Sequence, residues 1–84
     1  MVRYYFDVLD GTDSMRDDEG TEFDSLDPAV HAAARSTAEI GADRLARGDT
    51  SDVVIEVRDE RNQRVCTVTA SMKINLHNLL QPPP

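Results

Sequence analysis

Residues 52–74 read DVVIEVRDERNQRVCTVTASMKI, and the pairing within this stretch decides the fold. With a loop at Glu60-Arg61-Asn62-Gln63, Asp59 faces Arg64, Val57 faces Cys66, Ile55 faces Val68 and Val53 faces Ala70. The row from Val53 to Val57 and from Cys66 to Ala70 is apolar throughout, and Met72 and Ile74 continue it. The opposite side holds Glu56, Arg58, Thr67, Thr69, Ser71 and Lys73, with Val54 and Val65 among them. A slip of one residue would mix the two sets, so the alternation predicts a hairpin in this register. Asn62 tolerates the left-handed backbone such a turn requires.

Upstream of the hairpin lies a helix. Asp27 is a suitable N-cap, Pro28 suits the first turn, and Gly48 stands where a helix stops. Between them, Val30, Ala33, Ala34, Thr37, Ala38, Gly41 and Leu45 share one stripe at helical spacing. Most are small, so the helix can lie close on a sheet. Arg44 and Arg47 in the last turn complement the helix dipole.

At the start, VRYYFDVL (2–9) alternates: Val2, Tyr4, Phe6 and Val8 on one side, Arg3, Tyr5, Asp7 and Leu9 on the other. Asp10-Gly11 signals a turn. A short second strand is expected around residues 13–17. A two-residue loop sets Met15 opposite Phe6. A four-residue loop sets Met15 opposite Val8 and Arg16 opposite Asp7, which adds a cross-strand ion pair. Either way Met15 joins the apolar side. Residues 17–26 read as an acidic connection containing Gly20.

The expected architecture is α+β and two-layered, β-β-α-β-β, with one helix packed on a small, mostly antiparallel sheet. Strand order 2-1-3-4 is favoured because antiparallel neighbours are commoner. Residues 1–74 form the single domain. Residues 75–84, with Leu76, Leu79, Leu80 and three closing prolines, form a tail expected to fray unless a partner holds it. The second sheet face has no helix to cover it and carries Tyr5, Leu9, Val54 and Val65.

Charge is distributed unevenly. The 84 residues carry a net −7. Residues 1–27 hold nine acids against Arg3 and Arg16, whereas residues 28–84 hold seven acids and seven bases. The front therefore repels a phosphate backbone and attracts a cation or a basic partner. With a sequence pI near 4.5, nucleic-acid binding is not expected. No apolar run is long enough for a membrane span. The opening lacks a secretory pattern, and the single cysteine, Cys66, cannot form an internal disulfide; a cytoplasmic setting is expected.

RYYFDVLDG (3–11), RDDEGTEF (16–23), SLDPAVHAAA (25–34) and VVIEVRDE (53–60) together resemble an uncharacterised family of small acidic proteins of rhizobia and related alphaproteobacteria. The resemblance spans about residues 2–74. It implies this fold and a bacterial cytoplasmic setting, and no mechanism. The family's second hairpin loop usually contains Gly where this chain has Asn62-Gln63, and the segment after Ile74 departs from the pattern. A looser likeness joins the chain to the antitoxin of bacterial HicAB systems, which also opens on a YY-containing strand and hairpin followed by an acidic-capped helix. The DNA-binding region such antitoxins carry is absent from these residues. That likeness implies a module that binds a basic protein.

No chemical constellation is legible. Asp13, Asp17 and Glu19 do not follow the spacing of a calcium loop, and the acidic connection reads as a solvated segment that blocks strand edges. Cys66 falls in the apolar row and reads as a small core residue. His31 and His77 lack a partner at ligand spacing. No serine lies in a nucleophile-elbow context, and there is no phosphate-cradling glycine loop. Neither an enzyme nor a cofactor nor a metal is expected. The expected function is a non-catalytic protein-interaction module that self-associates as a homo-oligomer. The alternative is an antitoxin- or inhibitor-like module whose acidic third binds a basic protein. The candidate partner-binding residues are Asp13, Asp17, Asp18, Glu19 and Glu22 at the acidic end, and Tyr5, Val54 and Val65 on the uncovered face.

Overall fold

The computed structural model describes residues 1–11 and 13–77. Its elements are β1 (Val2–Asp10), β2 (Asp13–Met15), β3 (Thr21–Phe23), α1 (Leu26–Ala46), β4 (Val53–Arg58) and β5 (Arg64–Ala70). The sheet runs β2-β1-β4-β5 with every pairing antiparallel, and β3 also pairs with β1. The fold is α+β with one helix on one sheet, and the strand order is the expected one.

The acidic connection is not featureless. β3 lies within it, so the order is β-β-β-α-β-β. β1 has nine residues, and β2 covers only Val8, Leu9 and Asp10. The other half of the same edge would leave backbone groups without partners. β3 satisfies them, setting Phe23 opposite Val2, Glu22 opposite Arg3 and Thr21 opposite Tyr4. Thus β2 and β3 are two pieces of one interrupted edge strand. Phe23 stacks on Phe6 at 5.8 Å between ring centroids and tilts against Tyr4 at 6.3 Å.

Val8 pairs with Met15, the four-residue-loop register. Arg16 does not meet Asp7 as that register implies. Asp7 is taken by Arg58 from β4, and Arg16 lies 3.9 Å from Asp18 and donates to Asn62 Oδ1. Met15 sits on the helix side but stays exposed, because β2 is short and α1 lies chiefly over β4 and β5.

In the second hairpin, Val53 faces Ala70, Ile55 faces Val68 and Val57 faces Cys66, as the alternation predicts. The ladder then shifts, and Arg58 rather than Asp59 faces Arg64. The bulge leaves Val65 as the extra residue. Asn62 takes a φ of +63°, and the turn closes with Asn62 N–H donating to Asp59 O and Asp59 N–H donating to Gln63 O.

The core is thin. Val53, Ile55 and Val57 are fully buried against Ala29 and Ala33, with Tyr4 beside them and Phe6, Val8, Phe23, Cys66 and Val68 at the margin. The helix contact is narrower than the periodicity predicts. Ala29, Ala33, Thr37 and Gly41 are buried, Val30 and Leu45 are half-buried, and Ala34 and Ala38 are exposed. Small side chains let α1 approach closely, so a single row at four-residue spacing fills the interface. Thr37 keeps its hydroxyl satisfied by donating to Ala33 O at 2.7 Å.

The helix begins at Leu26 with Ser25 as its extended N-cap, two residues earlier than an Asp27 cap implies. Asp27 and Pro28 both fall inside the first turn, where acids suit the dipole and a missing N–H costs nothing. At the other end Gly48 has φ +83°, Gly48 N–H donates to Leu45 O and Asp49 N–H to Arg44 O, a Schellman termination. Arg44 ties this end to the sheet through Asp10, and to Asp49 at 2.9 Å.

Candidate functional site

The gap between β2 and β3 leaves the Phe6 N–H of β1 without a strand partner, and the side chain of Asp17 fills it. Asp17 Oδ2 accepts the Phe6 N–H at 3.0 Å, and Oδ1 accepts the backbone N–H groups of Glu19 and Gly20 at 3.1 and 3.0 Å. One carboxylate therefore replaces a missing rung and folds residues 17–20 into a tight loop. Gly20 completes it with φ +71°; a Cβ there would lie 2.8 Å from both Arg3 Cγ and Tyr5 Cε2.

This loop covers Arg58, which reaches across from β4 on the sheet face that α1 does not cover. Arg58 is only 8% exposed. Its Nε donates to Asp7 Oδ2 at 2.6 Å and its Nη2 to Asp7 Oδ1 at 3.0 Å, a bidentate pair. Nη2 also donates to Asp17 O, and Nη1 to Asn62 Oδ1 at 2.8 Å. The guanidinium carbon lies 5.1 Å from the Tyr5 ring centroid. Asp7 Oδ1 accepts the Asp17 N–H as well. The network joins β1, the 16–20 loop, β4 and the second hairpin turn around one cation.

The electrostatics follow from these contacts. Hydrogen bonds from Arg58 hold the Asp7 carboxyl below its ordinary range; burial opposes them, and the Asp17 N–H assists. For Asp17, burial pushes upward, but the N–H groups of Phe6, Gly20 and Glu19 together outweigh it and the carboxyl is lowered. Arg58 is raised by its Asp7 hydrogen bonds. The arrangement is a satisfied cation clamp. The hollow over it, about 290 Å³ and bordered by Tyr5, Arg16, Asp18, Glu60 and Asn62, is polar and open. Its guanidinium is spoken for by protein acceptors.

Two of the candidate residues, Tyr5 and Asp17, belong to this clamp and are half-buried. Asp13, Asp18 and Glu19 are exposed, and Glu22 is exposed in a pair with Arg3 at 3.1 Å. Val54 and Val65 lie away from the acids, on the β4–β5 side of the uncovered face; Val54 is half-buried between Leu9 and Thr69, and Val65 is 38% exposed. The structure thus divides the candidates into an acidic edge, a buried clamp and an apolar flank. Sequence reasoning missed Asp7 and Arg58 as a pair: it offered Arg16 as the partner of Asp7 and placed Arg58 only on the outer side of the second hairpin. The only trace of the pair is that Asp7 and Arg58 fall on the same, non-core side of their strands.

On the helix side a more apolar groove of about 580 Å³ runs between α1 and β2, bordered by Val8, Met15, Ile40, Asp10 and Arg44. Cys66 is half-buried against the core margin, and His31 and His77 are exposed. Among the described residues no three His, Cys, Asp or Glu side chains group as metal ligands, and no helix is long and apolar enough to cross a membrane.

Comparison with curated proteins and with solved structures gives no match. The family model described as Domain of unknown function (DUF6894) matches residues 3–71, which takes in every element but the first residue of β1, and the whole clamp, and the chain belongs to that family.

Proposed function

We propose that this chain is a non-catalytic interaction module that self-associates, in the cytoplasm of an alphaproteobacterium. The observation that supports it best is the division of the sheet surface. One face is covered by α1. On the other, Leu9, Val54, Val65, Thr67 and Thr69 lie outside the 16–20 loop, which covers only the Arg58 corner. The exposed acids Asp13, Asp18, Glu19 and Glu22 lie at the opposite edge, and Glu56 on the flank is paired with Arg64 at 3.3 Å, so a second copy can approach the β4–β5 flank with little charge opposing it. Light scattering over a micromolar concentration series tests the reading. A mass of two or more chains is expected, and a strict monomer throughout overturns it.

A second reading, binding of a basic protein, is favoured by one observation: Asp13, Asp18 and Glu19 stand exposed along the β2–β3 edge. It predicts binding that weakens steeply with salt. Asp18→Asn with Glu19→Gln should weaken capture of a basic protein, and unchanged capture removes the idea. Asp17 is unsuitable for that test, because its carboxylate holds the loop.

A further inference from the structure

The two edges of the sheet are built differently. The β2–β3 edge consists of two three-residue strands separated by a loop, with a side-chain carboxylate in the gap and acids along its length. Short strands, interruption and charge are the devices that prevent one sheet from pairing with another. The β5 edge carries none of them beyond its first residue. β5 is seven residues long, reads RVCTVTA, contains no acid and no proline, and its one irregularity is at the Arg58 end. Among the described residues no other strand pairs with it.

From this asymmetry we infer that β5 is a docking edge whose occupant is a second copy of the same strand, joined antiparallel about a two-fold axis at Thr67. This deepens the self-association proposed above and rests on it. Thr67 is the midpoint of β5, and the register about it pairs residues 65–69: Cys66 opposite Val68, Val65 opposite Thr69, and Thr67 opposite itself; Arg64, turned to the uncovered face by the bulge, lies beyond the ladder. Core-side residues then meet core-side residues, and the two sheets continue as one. The cross-strand pairs are Cys–Val, Val–Thr and Thr–Thr, and no like charges face each other. A basic segment of another protein would find no acid along β5, and an acidic one only Arg64 at its first residue, already paired with Glu56. The geometry also sets the acidic edges of the two copies at the far ends of the joined sheet, which minimises repulsion between two chains of net −7.

The full chain tests this with two variants, each with its own control. Thr67→Glu places acids face to face across the axis, close to Glu56 of each copy, while in the isolated chain residue 67 is exposed. Its dimer should dissociate at least tenfold more readily in sedimentation equilibrium, with an unchanged circular dichroism spectrum; Ser14→Lys, on the guarded edge, should dissociate like the natural chain. Cys66→Ser/Thr67→Cys should form an intermolecular disulfide under mild oxidation, which Cys66→Ser/Ser14→Cys should not. If the natural chain dimerises but Thr67→Glu leaves the affinity unchanged and the engineered cysteine does not cross-link, β5 is not the interface, though self-association stands. A natural chain that stays monomeric overturns both.

Discussion

Asp17 Oδ2 lies 3.0 Å from the Phe6 backbone nitrogen, where a strand carbonyl would otherwise stand. A side chain thus completes a ladder that the edge strand leaves open, and it does so with a group whose other oxygen is committed to two further N–H donors. Removing it strands three donors at once. Asp17→Ala should lower unfolding free energy by about 2–3 kcal/mol, the cost of leaving partly buried donors unpaired. Asp17→Asn keeps only one acceptor oxygen, so it should fall between the two. Urea denaturation measures both, and an Asp17→Ala change within 0.5 kcal/mol, on the order of an ordinary surface substitution, would contradict the bridging role.

The same contacts give the fold a defined acid response. Asp7 and Asp17 both have lowered carboxyl pKa values in the folded chain. Below about pH 5 the unfolded chain therefore binds more protons than the folded one, and stability rises with pH in that window. The contribution is fully present above the unfolded Asp value of about 3.9 and disappears as pH falls through the lowered folded values. Chemical denaturation at pH 3, 4, 5 and 7 should show a plateau at the upper two values and a decline below. Asp17→Asn should make the decline shallower.

Arg58 is held by geometry as much as by charge. Its fork meets both oxygens of Asp7 while another N–H reaches Asp17 O, an arrangement a lysine ammonium cannot reproduce. Arg58→Lys should therefore destabilise nearly as much as Arg58→Ala, with the alanine variant losing on the order of 3 kcal/mol because Asp7 is left buried without its cation. The double variant Asp7→Asn/Arg58→Met removes both charges and should recover part of the loss. A double-mutant cycle on thermal unfolding measures the coupling.

Gly20 is fixed by two independent requirements, a φ of +71° and the absence of a Cβ against Arg3, Tyr5 and the Tyr4 carbonyl. Gly20→Ala should cost about 2 kcal/mol, combining left-handed strain with overpacking against backbone and ring atoms that have little room to move. Gly11, with a similar φ of +62° but open space around it, should lose less on the same substitution. Equal losses at the two positions would show that conformation alone decides, and that the loop does not press on Tyr5.

How much of the structure is legible in the sequence depends on how each contact is specified. The β4–β5 register was legible because a short turn and strict alternation fix it together; only the bulge at Arg58 escaped, since nothing in the pattern distinguishes a four-residue loop from one that adds an extra residue. The Asp7–Arg58 pair spans 51 positions, and no hairpin joins β1 to β4, so alternation gives the faces and leaves the partner open. Asp17, Asp18 and Glu19 look equivalent as a run of acids. Their difference appears only when the gap between β2 and β3 is known, because that gap selects which carboxylate is turned inward. β3 itself is three residues with a single apolar ring turned to the core, too short for periodicity to reveal.

Gly41 and Met72 offer the last test, one in which two effects oppose each other. Gly41 lies inside α1, where alanine is favoured over glycine by about 1 kcal/mol through backbone entropy. Yet a Cβ at this position would stand 2.6 Å from Met72 Cε and 2.9 Å from its sulfur. The methionine end is flexible and can withdraw, but withdrawal surrenders the apolar burial it gains over the helix. The two effects are similar in size, so Gly41→Ala alone should change stability by less than about 1 kcal/mol. Met72→Ala should destabilise the natural chain, and should cost less when Gly41 is already alanine, because the contact it would remove has been given up. A cycle over the four chains, read by urea unfolding, should show that coupling. Additive effects would mean that Met72 does not rest on Gly41, and that the chain beyond β5 does not brace the helix.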